Sequence, residues 1–446
     1  MRRREIGANS YLLQTDDYRV VMDSGMHPKY EGRDALPNLE SLQPDTVDAI
    51  LISHAHHDHI GSLPLLQRRN PDAPVYMTEP TGEVTSAMLH NSVNVMSKQR
   101  EELGLMDYPL FTHKELDSIR KQWSYVGIER PFFLPQSDLA ITYYDAGHII
   151  GSAGMLVRQG SHTLFYTGDV NFEDQTLSCA AKFPTNDIEV LVVETTRGDY
   201  VRPAGYSRKS EKERLAALIR DTYEVHGSVL LPVFALGKSQ EVMLMLHELS
   251  EHDLIPDMPL ILGGLATKVT MLHDLYAHNT RRHYPSFSLL EDIDILVASR
   301  AKKKQITYQA RGLYALSSGM MTEKTTSNQF AQQGFLSNPK NSVAFVGYTD
   351  PESPGHAVRT AKPGQKISLD KHLPPVEVNA RVESFDFSAH AVREDILEYI
   401  RRVNPKKVLL VHGDEGAQLW FEDAIKTVLP NTEVLRPEPG QEIQLW

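Results

Sequence analysis

The most constraining feature of this chain is a crowd of potential metal ligands at the end of an apolar run. Val47-Asp48-Ala49-Ile50-Leu51-Ile52 leads directly into Ser53-His54-Ala55-His56-His57-Asp58-His59-Ile60-Gly61. The apolar run reads as a buried strand and the residues after it as a loop entering a helix, the kind of junction where scaffolds carry their chemistry. In an extended turn His54 and His56 point to one side and can share one ion. Asp58 and His59, a step further as the chain curls into a helix, can serve a second ion. Imidazole nitrogen and carboxylate oxygen are the ligands of catalytic zinc, so the spacing reads as a two-metal hydrolase signature. A histidine-rich loop can also simply face solvent; the strand-to-helix position argues against that here.

Composition narrows the chemistry. The 446 residues include a single cysteine, Cys179, which rules out an intrachain disulfide and a thiolate cluster, so any zinc must be held by histidine and carboxylate. The length exceeds what one core supports, and two domains are expected. Hydrophobic residues at 41% and charged residues at 23% fit a soluble globular protein, with no run able to span a bilayer and no signal-type stretch behind Met1-Arg2-Arg3-Arg4-Glu5; the expected location is cytoplasmic. A net charge of −12 excludes a surface coated for nucleic-acid binding without excluding a local basic groove. The one dense basic run is Arg300-Ala301-Lys302-Lys303-Lys304, which on charge alone reads as a solvated helix face.

Strand-like runs recur through the first third, at 18–23, 47–53, 141–144 and 162–166, most of them ending in a polar residue. Ile188 to Glu194 is nearly continuous in apolar character, as a strand buried on both faces would be. From about 200 to about 375 helical and strand patterns alternate, the texture of an α/β domain with a parallel sheet. The tail then resumes with a helix over 394–403, a strand over 407–411 ending at His412, and a helix through Trp420. The loop Val233-Phe234-Ala235-Leu236-Gly237-Lys238-Ser239 fails as a P-loop because Pro232 stands where the first glycine is required. A helix beginning there could still meet substrate phosphate. Further ligands should be isolated polar residues beside glycine at strand ends, and Gly147-His148 and Gly168-Asp169 fit.

The series Asp23, His54-His56-Asp58-His59, His148 and Asp169 resembles the motif series of the metallo-β-lactamase superfamily. Val193-Glu194-Thr195-Thr196, Asp386-Phe387-Ser388-Ala389-His390 and Leu410-Val411-His412-Gly413-Asp414 resemble motifs A, B and C of its β-CASP nucleases. The resemblance covers essentially the whole chain. It implies a four-layer αββα sandwich with an inserted α/β β-CASP cap: residues 1–199 as the first part of the metallo-β-lactamase domain, 200–375 as the cap, and 376–446 as the returning part. It also implies two zinc ions per chain, one on His54, His56 and His148, the other on Asp58, His59 and His412, with Asp169 bridging and Asp23 supporting the site. Asp58, Glu194 and His390 would be the catalytic residues, with His390 giving a proton to the leaving oxygen while Glu194 orients its ring.

Histidine at motif C is similar to the RNA-cleaving members, whereas the DNA-repair branch carries valine. The resemblance therefore implies a nuclease acting on single-stranded RNA in a cleft between the domains and leaving a 5′-phosphate. Lys238, Ser388, Arg300, Lys302, Lys303 and Lys304 are the candidate substrate contacts. A DNA nuclease of the same fold and a non-catalytic scaffold of an RNA-processing complex stay open, as does a homodimer; no membrane partner is expected. The chain departs from the family at Arg197, where tyrosine is usual, and at Gly347-Tyr348-Thr349-Asp350. Its first motif-like stretch, Glu5 to Tyr11, stands so near Met1 that little room is left for the family's opening strand.

Overall fold

A computed structural model of the chain describes residues 6–298 and 306–446; the basic run Arg300 and Lys302 to Lys304 falls outside them. The described chain divides into two compact units, one of residues 1–174, 180–201 and 390–446, the other of 175–179 and 202–389. No described helix is long and apolar enough to cross a membrane.

The first unit is built on two sheets. A five-stranded sheet runs Tyr11–Gln14, Arg19–Met22, Ala49–Leu51, Val75–Thr78 and Trp123–Val126 in that spatial order. Its first pair is antiparallel and the rest are parallel. Tyr11–Gln14 is the first strand among the described residues. A seven-stranded sheet runs Glu433–Leu435, Lys407–Val411, Val190–Glu194, His162–Tyr166, Ala153–Gln159, Ala140–Asp145 and Phe132–Phe133. The alternation of side chains in Val190–Glu194 explains its unbroken apolar character. Val190 and Val192 join Val20, Ala49 and Leu51 in the core between the two sheets. Leu191 and Val193 face the other way, against Ile396, Ile400, Phe421 and Ile425 of the helices Arg393–Val403 and Glu415–Val428. The helix Glu79–Leu103 packs on Val75–Thr78 and Trp123–Val126 of the five-stranded sheet. The layers are helix, sheet, sheet, helix, which is the expected αββα sandwich.

The second unit carries a six-stranded, wholly parallel sheet ordered Ile295–Ala298, Leu260–Gly263, Leu313–Leu316, Val229–Pro232, Ser342–Phe345 and Arg381–Ser384. Both faces are covered. Val229 and Leu231 pack with Leu215, Ile219, Val242 and Met245 of the helices Arg208–Glu224 and Lys238–Glu251. Leu230, Tyr314 and Phe345 pack on the opposite face with Phe330, Phe335 and Val358. Ser207 caps the first of these helices by accepting from the Ser210 N–H.

Two boundaries differ from the sequence reading. The strand Arg381–Ser384 pairs with Ser342–Phe345, and Phe385 and Phe387 enter the second unit's core, so that unit extends to residue 389 rather than 375. Residues 175–179 also belong to it. Glu241, 3% exposed, accepts the backbone N–H groups of Thr176, Leu177 and Ser178 at 2.7, 2.9 and 2.8 Å, and Leu177 is part of the same core. A buried carboxylate requires such donors, and three successive amides supply them.

Candidate metal centre

The site is assembled at strand ends of the first unit. The strand Ala49–Leu51 ends four residues before Ala55; the chain stays extended through His56 (φ −70°, ψ 148°) and turns helical at His57. That change of conformation sends His54 and His56 one way and Asp58 and His59 another. Gly147 (φ 64°) and Gly168 (φ 54°) take left-handed turns that deliver His148 and Asp169 from the seven-stranded sheet. Glu194 ends the strand Val190–Glu194, whose parallel neighbour Lys407–Val411 places Val411 opposite Glu194 and so brings His412 alongside.

The ligand atoms of His54, His56, His148 and Asp169 all lie within 4.8 Å of one another, and so do those of Asp58, His59 and His412. His56 Nδ1 is 3.2 Å from His54 Nε2 and 3.0 Å from His148 Nε2. Asp169 Oδ2 is 3.4 Å from His54 Nε2 and 3.6 Å from His148 Nε2, while its Oδ1 is 3.4 Å from His59 Nε2. Asp58 Oδ2 is 3.1 Å from His412 Nε2 and 3.8 Å from His59 Nε2. Ligands bonded to one tetrahedral zinc at 2.0–2.1 Å stand about 3.3–3.4 Å apart, and the separations bracket that value.

Hydrogen bonding fixes which nitrogens face inward. Ser53 Oγ donates to Asp23 Oδ2 at 2.7 Å, so it accepts from His54 Nδ1 at 3.0 Å and leaves His54 Nε2 a bare lone pair. His59 Nδ1 donates to Asp23 Oδ2 at 2.7 Å, leaving its Nε2 to the site. Asp23, fully buried, also accepts from the Ser53 N–H and the Tyr166 hydroxyl, both at 2.7 Å. Asp169 Oδ1 is buried with no hydrogen-bond donor. Lone pairs converging on one another beside an undonated carboxylate oxygen are unfavourable without a cation, so the residues fit a metal pair.

The electrostatics divide the site. Burial, reinforced by neighbouring imidazoles, lowers the pKa of His54, pulls His56 down to about 3 and holds His148 well below its ordinary value. Burial works the same way on His59, but Asp169, Asp23 and Asp58 outweigh it and raise that imidazole well above its usual range. His412 is raised against burial by Asp169 and Asp58. Asp58 and Asp169 are lowered, burial being overcome by the histidines around them.

Beside the ligands stands a second constellation. His390 Nδ1 lies 3.1 and 3.2 Å from the two oxygens of Glu194, and its ring centroid is 4.6 Å from that of His148. Glu194, 1% exposed, accepts the Val170 N–H at 2.8 Å and the Thr196 N–H at 3.2 Å. Burial opposes charge on His390, yet Glu194, with Asp169 and Asp58, raises its pKa.

Other expectations fare differently. Lys238 is buried at 8% exposure and its ammonium donates to the Phe387 carbonyl, which is not the open position expected of a substrate contact. Ser388 is half-buried, with its N–H 3.4 Å from Asp386 Oδ1. Arg197 is buried and its guanidinium stacks 4.2 Å from the Tyr200 ring centroid. Sequence reasoning missed Ser53, Tyr166, Asn9, Thr195 and Thr196. Asn9 Nδ2 is 3.2 Å from His59 Nε2, and the threonines touch His412. Only Ser53 carried a signal, its place between strand and ligands.

Comparison with known proteins agrees with this geometry. Residues 3–225 match the model of the metallo-beta-lactamase superfamily, 239–358 that of the Beta-Casp domain, and 375–437 that of the Zn-dependent metallo-hydrolase RNA specificity domain. The chain belongs to the metallo-beta-lactamase superfamily, among its Beta-Casp metallo-hydrolases. It is 30% identical over 442 residues to the transcription termination factor FttA of Methanothermobacter thermautotrophicus, covering 95% of this chain and 67% of that protein. It is 29% identical over 417 residues to the probable RNase MJ4 of Methanocaldococcus jannaschii, covering 92% of this chain and 91% of that one. A crystal structure of a protein of unknown function from Enterococcus faecalis V583 superimposes with a TM-score of 0.58 at 14% identity, over 98% of this chain and 97% of the other, which supports the fold.

Proposed function

We propose that the protein is a zinc-dependent ribonuclease that hydrolyses phosphodiester bonds of single-stranded RNA and leaves a 5′-phosphate. The observation that carries this reading is the Glu194–His390 pair set against His148 and His412, because a bare hydroxide generator has no need of it. The match to an RNA specificity domain over 375–437 and the likeness to a probable RNase of similar extent favour RNA over DNA.

His54, His56 and His148 would hold one zinc, Asp58, His59 and His412 the other, and Asp169 both. Such a pair supplies an activated water and neutralises charge building on the phosphoryl oxygens. Of the chain's own groups, Glu194 holds His390 with Nδ1–H directed at its carboxylate. Glu194 also favours the protonated ring, so His390 can hand its proton to the 3′ oxygen as the P–O3′ bond breaks, leaving the phosphate on the 5′ side. The His390 side chain keeps 23% of its surface exposed, enough to be met by substrate.

The test is cleavage of end-labelled RNA bearing a 5′-triphosphate, 5′-monophosphate or 5′-hydroxyl, beside DNA of the same sequence. Zinc-loaded protein should cut the RNA to products with 5′-phosphates, and Asp58→Ala should not. Failure to cut any RNA, or faster cutting of the DNA, would overturn the assignment. Internal cuts indifferent to the 5′ end would mark an endonuclease, and mononucleotides released from the monophosphate alone a 5′→3′ exonuclease.

A further inference from the structure

His412 is the one proposed ligand that arrives from the C-terminal part of the chain, and its backbone is unusual. Its φ is 48°, the left-handed region, which a residue with a side chain leaves unless its surroundings hold it there. Its backbone is held by the two threonines that follow Glu194, while Asp169 Oδ1 stands 3.4 Å from its Nδ1. The Thr195 N–H donates to the His412 carbonyl at 3.2 Å, and Thr195 Oγ1 donates to the Val411 carbonyl at 2.9 Å. Thr195 packs so closely that a Cβ added to Gly413 would stand 2.3 Å from its hydroxyl oxygen. The Thr196 hydroxyl lies 3.2 Å from the His412 carbonyl and 2.8 Å from His412 Nδ1, while the Thr196 N–H bonds to Glu194 Oε2.

The Thr196 hydroxyl has one proton and two partners. A carbonyl oxygen can only accept, so the proton goes to the His412 carbonyl, and the hydroxyl oxygen must then accept from Nδ1–H. This arrangement fixes the tautomer and leaves Nε2, 3.1 Å from Asp58 Oδ2, as the lone pair. We infer that Thr196 is the positioning residue of the second metal set: it holds His412 in its left-handed backbone, selects the Nδ1–H tautomer, and links that ligand to Glu194 of the proton-transfer pair. Thr195 supplies the backbone half of the same clamp. Outer partners that orient a ligating imidazole in this way are worth roughly 10–100-fold in metal affinity.

The inference rests on the metal-centre reading but not on the choice of RNA as substrate, and zinc binding tests it without any cleavage. Metal-free protein, Thr196→Val and Thr196→Ser are titrated with zinc against a chromophoric chelator. Thr196→Val keeps the shape and loses the hydroxyl; it should weaken one zinc equivalent roughly 10–100-fold while the other, on His54, His56 and His148, stays within about threefold. Thr196→Ser restores the hydroxyl and should bind both equivalents like the parent. A nitrogen-15 spectrum of the zinc-loaded parent should show the His412 proton on Nδ1, the nitrogen 2.8 Å from the Thr196 hydroxyl, and leave Nε2 as the ligating nitrogen. If Thr196→Val does not fold, Thr196→Ala carries the same comparison. The proposal is overturned if both equivalents keep their affinity without the hydroxyl, if both weaken alike, if Thr196→Ser behaves as Thr196→Val, or if His412 of the zinc-loaded parent carries its proton on Nε2. A protein that binds zinc as described yet cuts no RNA would refute the nuclease reading and leave this one standing.

Discussion

Asp23→Asn offers a severe test of how the site is held. The carboxylate is fully buried and saturated: Oδ1 accepts the Ser53 N–H, and Oδ2 accepts Ser53 Oγ, His59 Nδ1 and the Tyr166 hydroxyl, all four at 2.7 Å. An amide has the same shape but must turn an NH2 group toward one side. Facing the Ser53 N–H, it leaves that N–H and its own NH2 group without acceptors, which costs at least about 1–3 kcal/mol. The three remaining bonds become neutral ones of about half the strength, a further loss of about 2–3 kcal/mol. Turned the other way it abandons three donors, so the first orientation wins and the total is roughly 3–6 kcal/mol. The metal should feel part of this, directly through His59 and indirectly through Ser53 to His54, as a loss of about 10–100-fold in zinc affinity. Urea denaturation of the metal-free protein measures the first quantity, and chelator competition measures the second. An Asn variant within about 1 kcal/mol of the parent that also binds zinc equally well would refute the idea that Asp23 supports both ligand sets.

Further expectations follow from the same geometry. Ser53→Ala removes only the link from Asp23 to His54, so it should weaken zinc binding about fivefold to tenfold, less than Asp23→Asn does, as read by the same competition assay. On the proposed assignment of His390 to the leaving group, His390→Ala should lower kcat on RNA about 10²–10⁴-fold with zinc content unchanged by elemental analysis. Zinc affinity should depend on pH differently at the two sets. His54, His56 and His148 are lowered by burial, so protons compete less with zinc at that set in mildly acidic solution. His59 and His412 are raised, so zinc must displace protons at their set and its affinity should climb as pH rises through that range; zinc titrations at several pH values check both signs. Removing zinc with a chelator leaves Asp169 Oδ1 buried without a donor and should lower the melting temperature, restored on adding zinc back.

Much of the ligand set was legible because it lies where periodicity stops. His54 to His59 interrupt an apolar run, and His148, Asp169 and Glu194 stand at strand ends, two of them beside glycines that take left-handed turns. What supports those ligands was not legible. Thr196 reaches His412 across 216 positions because Val190–Glu194 and Lys407–Val411 are parallel neighbours in register, and a threonine after a glutamate carries no trace of that pairing. The reach of the second compact unit to residue 389 was not legible for a related reason. Arg381–Ser384 is four residues long with three of them polar, the look of a loop, and it becomes a strand only because Ser342–Phe345 offers it an edge. Residues 175–179 have no period at all; Glu241 captures them through their backbone amides, which every sequence possesses.

The two residues of the site held in left-handed backbone, Asp23 at φ 60° and His412 at φ 48°, follow the strands Arg19–Met22 and Lys407–Val411, one in each sheet of the sandwich. Each is fixed by partners from a neighbouring strand or its end: Ser53 and Tyr166 for Asp23, Thr195 and Thr196 for His412. Strain of this kind persists only where the fold over-determines it, and here it lies directly behind His59 and His412, the pair that carries raised pKa values. The set on His54, His56 and His148 carries no such strain among its imidazoles and consists of histidines already neutral. On the proposed two-zinc reading, binding at the first set would be a matter of preformed lone pairs, while binding at the second would have to displace protons from a set held in left-handed backbone. The second ion is accordingly the one whose retention should respond to pH and to substitutions outside the ligands. That makes His412, and the threonines that hold it, the part of the centre through which the rest of the chain acts on the chemistry.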